Sequence, residues 1–135
     1  MVAAAPGGSR GGAPLRERAR RDRFLVAEML RHAGVIGENV RKGRSAFDDD
    51  VSTRYALEHA VELFSEAAEK VSNAFERENP TIPWKGLRPL RRDVAHPYDG
   101  GRPPVNPDRV WRFVRDEVPN IVKKLRTAKY PESPE

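Results

Sequence analysis

The sequence predicts an all-α fold, a four- to five-helix up-and-down bundle. Three observations predict it. Apolar residues recur at spacings of three and four over three long stretches. No segment alternates apolar and polar residues with a period of two over a useful length. The chain has 135 residues, 38% of them hydrophobic and 33% charged. A chain this short and polar buries one modest core, which self-association would complete.

The elements follow in order. Residues 1–14 are mostly Gly, Ala and Pro with one Arg, and nothing in them offsets the entropy of ordering. They are expected to form a disordered tail, with the bundle over 15–127 and a C-terminal tail over 128–135. From Leu15 to Val40, Leu25, Met29, Ala33, Ile36 and Val40 mark one helix face, weakened at Gly34 and Gly37. Ser45 to Asp50 is a polar, acidic start signal, suited to a helix N-terminus. Leu57, Ala60, Val61, Phe64, Ala67, Ala68, Val71 and Phe75 then form an unbroken stripe, which predicts one helix over about 50–78, ended by Asn79-Pro80.

Residues 80–107 hold seven of the twelve prolines. Trp84, Leu87, Leu90, Val94 and Tyr98 still fall at helical spacing, so a short helix is expected over about 87–96. Pro89 is tolerable only in its first turn, and Pro97 stops it. Asn106-Pro107 reads as an N-cap followed by proline at the first helical position. Val110, Trp111, Val114, Val118, Ile121, Val122 and Leu125 form the last stripe, which Pro119 is expected to break or kink, with Asp116 capping the second piece.

Several function classes are excluded. The chain has no cysteine, so disulfides, zinc–thiolate sites, iron–sulfur clusters and cysteine nucleophiles are ruled out. It is too short for a (β/α)₈ barrel. No apolar run approaches the roughly 18 residues that span a bilayer. Arg20-Arg21 hints at a twin-arginine signal, but Glu28, Arg31 and His32 follow where an apolar region is needed. A cytoplasmic protein with no membrane partner is expected. There is no phosphate loop, HExxH, GxSxG or calcium loop. Asp48-Asp49-Asp50 reads as an acidic helix start, so neither a metal nor a cofactor is expected.

The net charge is +5, and its distribution is uneven. Residues 1–23 carry six Arg against two acids, residues 45–79 three bases against nine acids, and residues 80–115 eight bases against three acids. A basic stretch beside an acidic one can steer a polyanion to a local site, or the two can pair within the fold or between protomers.

The one constellation with a chemical reading surrounds His96. Arg88, Arg91 and Arg92 lie within eight residues upstream of it, and Tyr98 lies two downstream. Guanidinium groups disfavour an imidazolium and hold the ring as a neutral base. A histidine that moves protons and an arginine that stabilises an anionic transition state suffice to cleave RNA without metal. Spacing alone is better explained by a surface histidine on a basic helix, with Tyr98 packing against the bundle.

The wider sequence resembles the HepT-like toxins, α-helical nucleases of the HEPN superfamily. Three blocks between Thr53 and Leu125 carry the resemblance: Thr53-Arg54-Tyr55-Ala56-Leu57-Glu58 leading to Ser65-Glu66-Ala67-Ala68; Asn79-Pro80-Thr81-Ile82-Pro83-Trp84 followed by Leu90-Arg91 and His96-Pro97-Tyr98; and Val110-Trp111 through Asp116-Glu117-Val118-Pro119. Arg91, His96 and Tyr98 look like the family's R-x4-H-x-Y motif. The resemblance implies a homodimeric bundle in which two motifs face one cleft and form a metal-independent endoribonuclease. It implies the toxin of a type VII-like toxin–antitoxin pair, whose partner resembles a minimal nucleotidyltransferase and transfers AMP to the motif tyrosine, here Tyr98. Arg91 would stabilise the phosphoryl charge and His96 would be the general acid or base. Arg92, Arg88 and Glu66 would support the site or bind RNA.

The chain departs from the family pattern at four places. Arg92 stands where Asn is common, Pro97 removes a backbone donor between His96 and Tyr98, the loop over 99–106 is longer, and the arginine-rich tail before residue 24 is additional. The departures at Arg92 and Pro97 motivate an alternative, a non-catalytic HEPN-type module that binds nucleotide or RNA or docks a nucleotidyltransferase. A third reading is a nucleic-acid-binding bundle that uses the basic tail.

Overall fold

The computed structural model describes residues 14–87 and 106–131. Among these every regular element is helical and none is a strand, so the chain is an all-α bundle. The helices are α1 (Leu15–Val40), α2 (Arg44–Asp49), α3 (Val51–Glu69), α4 (Asn73–Glu78), α5 (Pro107–Arg112) and α6 (Val118–Arg126), with a π-helical turn at Phe113–Glu117 joining the last two. The Gly/Ala/Pro tail up to residue 13, the expected disorder there, and the loop over 99–105 lie outside the described residues.

The three apolar stripes become the core. Met29, Ile36, Phe47, Leu57, Val61, Phe64 and Phe75 are fully enclosed, together with Val110, Val114 and Ile121 of the last helical rod. Each large side chain removed from water contributes roughly 1.5–3 kcal/mol before entropy is subtracted. Edge-on rings add specificity: Phe64 meets Phe113 with centroids 6.3 Å apart, and Phe75 meets Trp84 at 5.7 Å. Glycine does not interrupt α1, because Gly34 faces open space and packing carries the helix. The chain turns at Gly43, whose φ of +94° is a conformation that side-chain-bearing residues rarely adopt.

Three expectations are corrected. The helix expected over 50–78 is two helices, α3 and α4, parted at Lys70–Ser72. The cause lies fifty residues away. Asp22 of α1 is 1% exposed, and its carboxylate accepts from the Ser72 N–H at 2.9 Å and from the Ser72 hydroxyl at 2.7 Å. The Ser72 hydroxyl oxygen in turn accepts from the Phe75 N–H and caps α4. An N–H turned outward to Asp22 cannot also continue the α3 ladder.

The second correction concerns Pro119, which breaks nothing. The Val118 N–H donates to the Phe113 carbonyl, five residues back, and this π-helical turn inserts one extra residue ahead of the proline. Pro119 then occupies the first turn of α6, where no N–H is required of it. Asp116 caps nothing; it takes two hydrogen bonds from Arg115 instead. The third correction concerns the helix expected to begin near 87: residues 84–87 are already helical, directly after Pro83. The rest of that helix, including Leu90, Val94 and Tyr98, lies outside the described residues.

The acidic run divides between two roles. Asp48 takes two hydrogen bonds from the Arg44 guanidinium within α2. Asp50 caps α3 by accepting from the Ser52 N–H and the Thr53 hydroxyl. The Thr53 hydrogen bond holds its carboxyl below the ordinary aspartate range.

The direction of each long helix follows from these contacts. Asp22 near the start of α1 meets Ser72 just beyond the end of α3, so α1 and α3 are antiparallel. Asp108 at the start of α5 pairs with Arg44 at 2.8 Å, just past the end of α1. The last helical rod ends where Arg23 lies over the Tyr130 ring at 4.2 Å. It therefore runs antiparallel to α1 and parallel to α3. No described helix is long and apolar enough to cross a membrane.

Candidate functional site

The residues singled out as a catalytic set, Arg88, Arg91, Arg92, His96 and Tyr98, lie outside the described residues. What the structure does give is how the chain is held on either side of them.

The upstream hold centres on Asn79. Its side-chain amide donates to the Phe75 carbonyl and to the Lys129 carbonyl, both at 2.9 Å, and its oxygen accepts from the Lys129 N–H at 3.0 Å. The Asn79 carbonyl accepts from the Trp84 indole N–H at 3.0 Å. The Trp84 ring lies against Phe75, and Ile82 and Leu87 are buried beside it. Lys124 of α6 donates to the Thr81 carbonyl at 2.7 Å. The segment before Arg88 is thus fastened to the C-terminal end of α6 by side chains of each part bonding the backbone of the other. Where such groups are buried, leaving one unpaired costs roughly 1–3 kcal/mol.

The downstream hold is at the opposite end of the bundle. Asn106 caps α5 by accepting from the Asp108 N–H at 2.8 Å, and Pro107 takes the first helical position, as the sequence predicts. Asp108 pairs with Arg44, and Trp111 packs on Phe47 at 5.6 Å. The rod from Pro107 to Arg126 separates the two holds by about 30 Å at 1.5 Å per residue. The chain therefore leaves the described residues at one end of the bundle and returns at the other.

Glu66 sits on α3, partly exposed, with the Lys70 ammonium at 3.9 Å. It faces His32 of α1 across the α1–α3 seam and favours that imidazole's charged form. The His32 ring is 3.7 Å from Glu28. Burial and then Arg31 nevertheless hold the His32 pKa below the ordinary histidine value, against the pull of Glu28 and Glu66. His59 of α3 is exposed, with its ring 3.7 Å from Glu62. Among the described residues no three carboxylate or imidazole groups are placed to hold a metal ion.

Sequence reasoning missed four parts of this region. It read Asn79 only as a helix stop, and no periodicity marks Lys124 as a brace or Tyr130 as a packing residue, although Tyr130 stacks on Phe75 at 5.1 Å. It also missed an open groove of about 580 Å³ between α4 and the turn at 84–87, lined by Glu76, Arg77, Pro80, Ile82, Trp84 and Lys85 among others. The close spacing of Arg77, Lys85 and the prolines between them was the one available signal.

Comparison with known proteins adds a second, independent line. The model of a family described as Ribonuclease HepT-like matches residues 16–128. Among curated proteins, the chain is 32% identical over 79 residues to a candidate RNase of Methanocaldococcus jannaschii, covering 58% of this chain and 69% of that one. It is 31% identical over 76 residues to the "probable ribonuclease HepT" of Thermococcus cleftensis, covering 56% and 66%. A second candidate RNase of Methanocaldococcus jannaschii is 32% identical over 79 residues, covering 58% and 62%. The chain thus spans about two thirds of the length of these relatives. No solved structure matches it.

Proposed function

The chain belongs to the ribonuclease HepT-like family, and from that premise we propose that it is a metal-independent endoribonuclease whose reacting groups are Arg91 and His96. The observation that supports this most is the family match over residues 16–128, which encloses Arg91, His96 and Tyr98 in their R-x4-H-x-Y spacing. The chemistry is a transesterification. His96 takes the proton of a ribose 2′-OH, the 2′ oxygen attacks phosphorus, and the bond to the 5′ oxygen breaks as that oxygen gains a proton. Arg91 stabilises the charge on the pentacoordinate phosphorus. The products are a 2′,3′-cyclic phosphate and a 5′-hydroxyl.

In this reading the active form is a homodimer with the two motifs across one cleft, and Arg88, Arg92 and Glu66 support the site or contact RNA. The protein is the toxin of a type VII-like toxin–antitoxin pair. Its partner, a minimal nucleotidyltransferase, transfers AMP to the Tyr98 hydroxyl. The adenylyl group would block the cleft by bulk and by negative charge. The test is incubation of purified protein with RNA in EDTA. Fragments ending in cyclic phosphate are expected, and a strand carrying a 2′-deoxyribose at the cleaved position should survive. Cleavage of the deoxy strand would remove the 2′-OH mechanism.

A second reading is kept because of Arg92 and Pro97. A proline at 97 disfavours helical geometry for the residue before it, which supports a module that binds RNA or docks the nucleotidyltransferase without cutting. RNA that is bound but intact under every condition would favour it.

A further inference from the structure

We infer that the groove between α4 and the turn at 84–87 is a subsite for one ribonucleotide of an RNA strand, with its phosphate held by Arg77 and Lys85. This rests on the ribonuclease reading for the identity of the ligand, but its geometry stands apart from the motif residues. The groove's volume of about 580 Å³ falls in the range of roughly 300–1,000 Å³ that small ligands occupy. Its walls divide by chemistry. Pro80, Ile82, Pro83 and the edge of Trp84 give an apolar surface, against which a base can lie. Arg77 and Lys85 are on the rim, and neither is in an ion pair among the described residues.

Two further features select a strand rather than a bare anion. Glu76 also lines the groove, and its carboxylate repels inorganic phosphate while it can accept from the exocyclic amino group of a base. Lys124 is tied to the Thr81 carbonyl, which brings the basic end of α6 beside the rim at Pro80 and Ile82. The last lining residue in sequence is Gly86, two residues before Arg88, on a segment fastened at Asn79 and Trp84. A nucleotide seated here is held at a fixed distance from the start of the motif segment. The subsite would therefore act on binding and register, not on the bond-breaking step.

The experiment is fluorescence anisotropy with a 2′-O-methyl RNA oligomer, which cannot be cut through its own 2′ oxygen, across a range of salt. Two variants are compared with the parent: the double substitution Arg77→Gln/Lys85→Gln, and Gly86→Phe. Gly86 lines the groove and a Cβ there meets nothing within 4 Å, so a phenyl group is accommodated and adds bulk at the groove wall without changing charge. The double variant should bind roughly tenfold more weakly, and its salt dependence should flatten by about 0.7 for each phosphate no longer held. Gly86→Phe should weaken binding with the slope largely kept. With cleavable RNA, both should raise KM and leave kcat as it is. Unchanged affinity in both variants would overturn the subsite, as would equal competition by free AMP. If the parent binds the oligomer and responds this way yet cuts no RNA, the ribonuclease reading fails while the subsite stands.

Discussion

Two places in this chain interrupt a long apolar stripe, and they behave in opposite ways. At Ser72 the stripe is unbroken in sequence, yet the helix stops. At Pro119 the stripe contains a helix breaker, yet the rod continues through a π-helical turn. The difference is where the decisive group lies. Asp22, fifty residues from Ser72, captures that residue's N–H and hydroxyl in the interior. Pro119 needs only a local adjustment, one extra residue in the turn before it, which leaves Val114, Val118 and Ile121 all facing the core. A helix pattern reports local periodicity. It is silent about a buried partner on another helix.

The largest effect is expected at Asp22. Asp22→Ala leaves the Ser72 N–H and hydroxyl without their acceptor, and should cost about 2–4 kcal/mol in urea denaturation. Combined with Ser72→Ala, the two losses should fall well short of additive, because they remove one shared interaction. Full additivity would show that Asp22 stabilises by some other route.

A smaller effect is expected at His32 on the α1–α3 seam. Burial lowers its folded pKa, so the unfolded chain binds the proton more readily. The stability it contributes is present above the unfolded value of about 6.5 and is lost as pH falls through that value and the folded one. Glu28 and Glu66 oppose this, and Arg31 and His59 reinforce it. Melting temperature should drop on acidification from about pH 7 to pH 5, and His32→Gln should drop less. An unaltered pH profile in that variant would assign the acid sensitivity to other groups.

The smallest effect is expected at Pro119. Since the π-helical turn already accommodates the ring, Pro119→Ala should change stability by no more than about 0.5 kcal/mol. A gain of several times that would mean the turn holds strain and the accommodation is incomplete.

The stripes made most of the fold readable. Leu25 through Ile36, Leu57 through Phe75 and Val110 through Leu125 predicted core positions that the structure buries, with Val40 and Val122 only partly covered. Asn106-Pro107 predicted a cap that forms, whereas of the acidic start signal over Ser45 to Asp50 only Asp50 caps a helix, and Ser45 to Asp49 lie inside α2. Asp22 was not read, although its position carries a signal. It lies three and four residues before Leu25 and Val26, on the apolar face of α1, and a lone carboxylate there needs a buried partner. Asn79 hides behind the proline that follows it, which gives the same helix stop whether or not the side chain clamps Lys129. For the candidate site the sequence supplied residue identities and spacing through Arg91, His96 and Tyr98. The structure supplied the two holds on either side, at Asn79–Lys129 and Arg44–Asp108, which join distant parts of the chain and leave no periodic trace.

Everything proposed for function turns on His96 as the group that transfers the proton starting RNA cleavage. Single-turnover cleavage of end-labelled RNA in EDTA, by the parent protein and by His96→Ala, reads that role with nothing in between. Circular dichroism confirms that both proteins are helical. The variant's rate should fall by about 10²–10⁴-fold, with RNA affinity kept. Equal rates in the two proteins would take His96 out of the reaction.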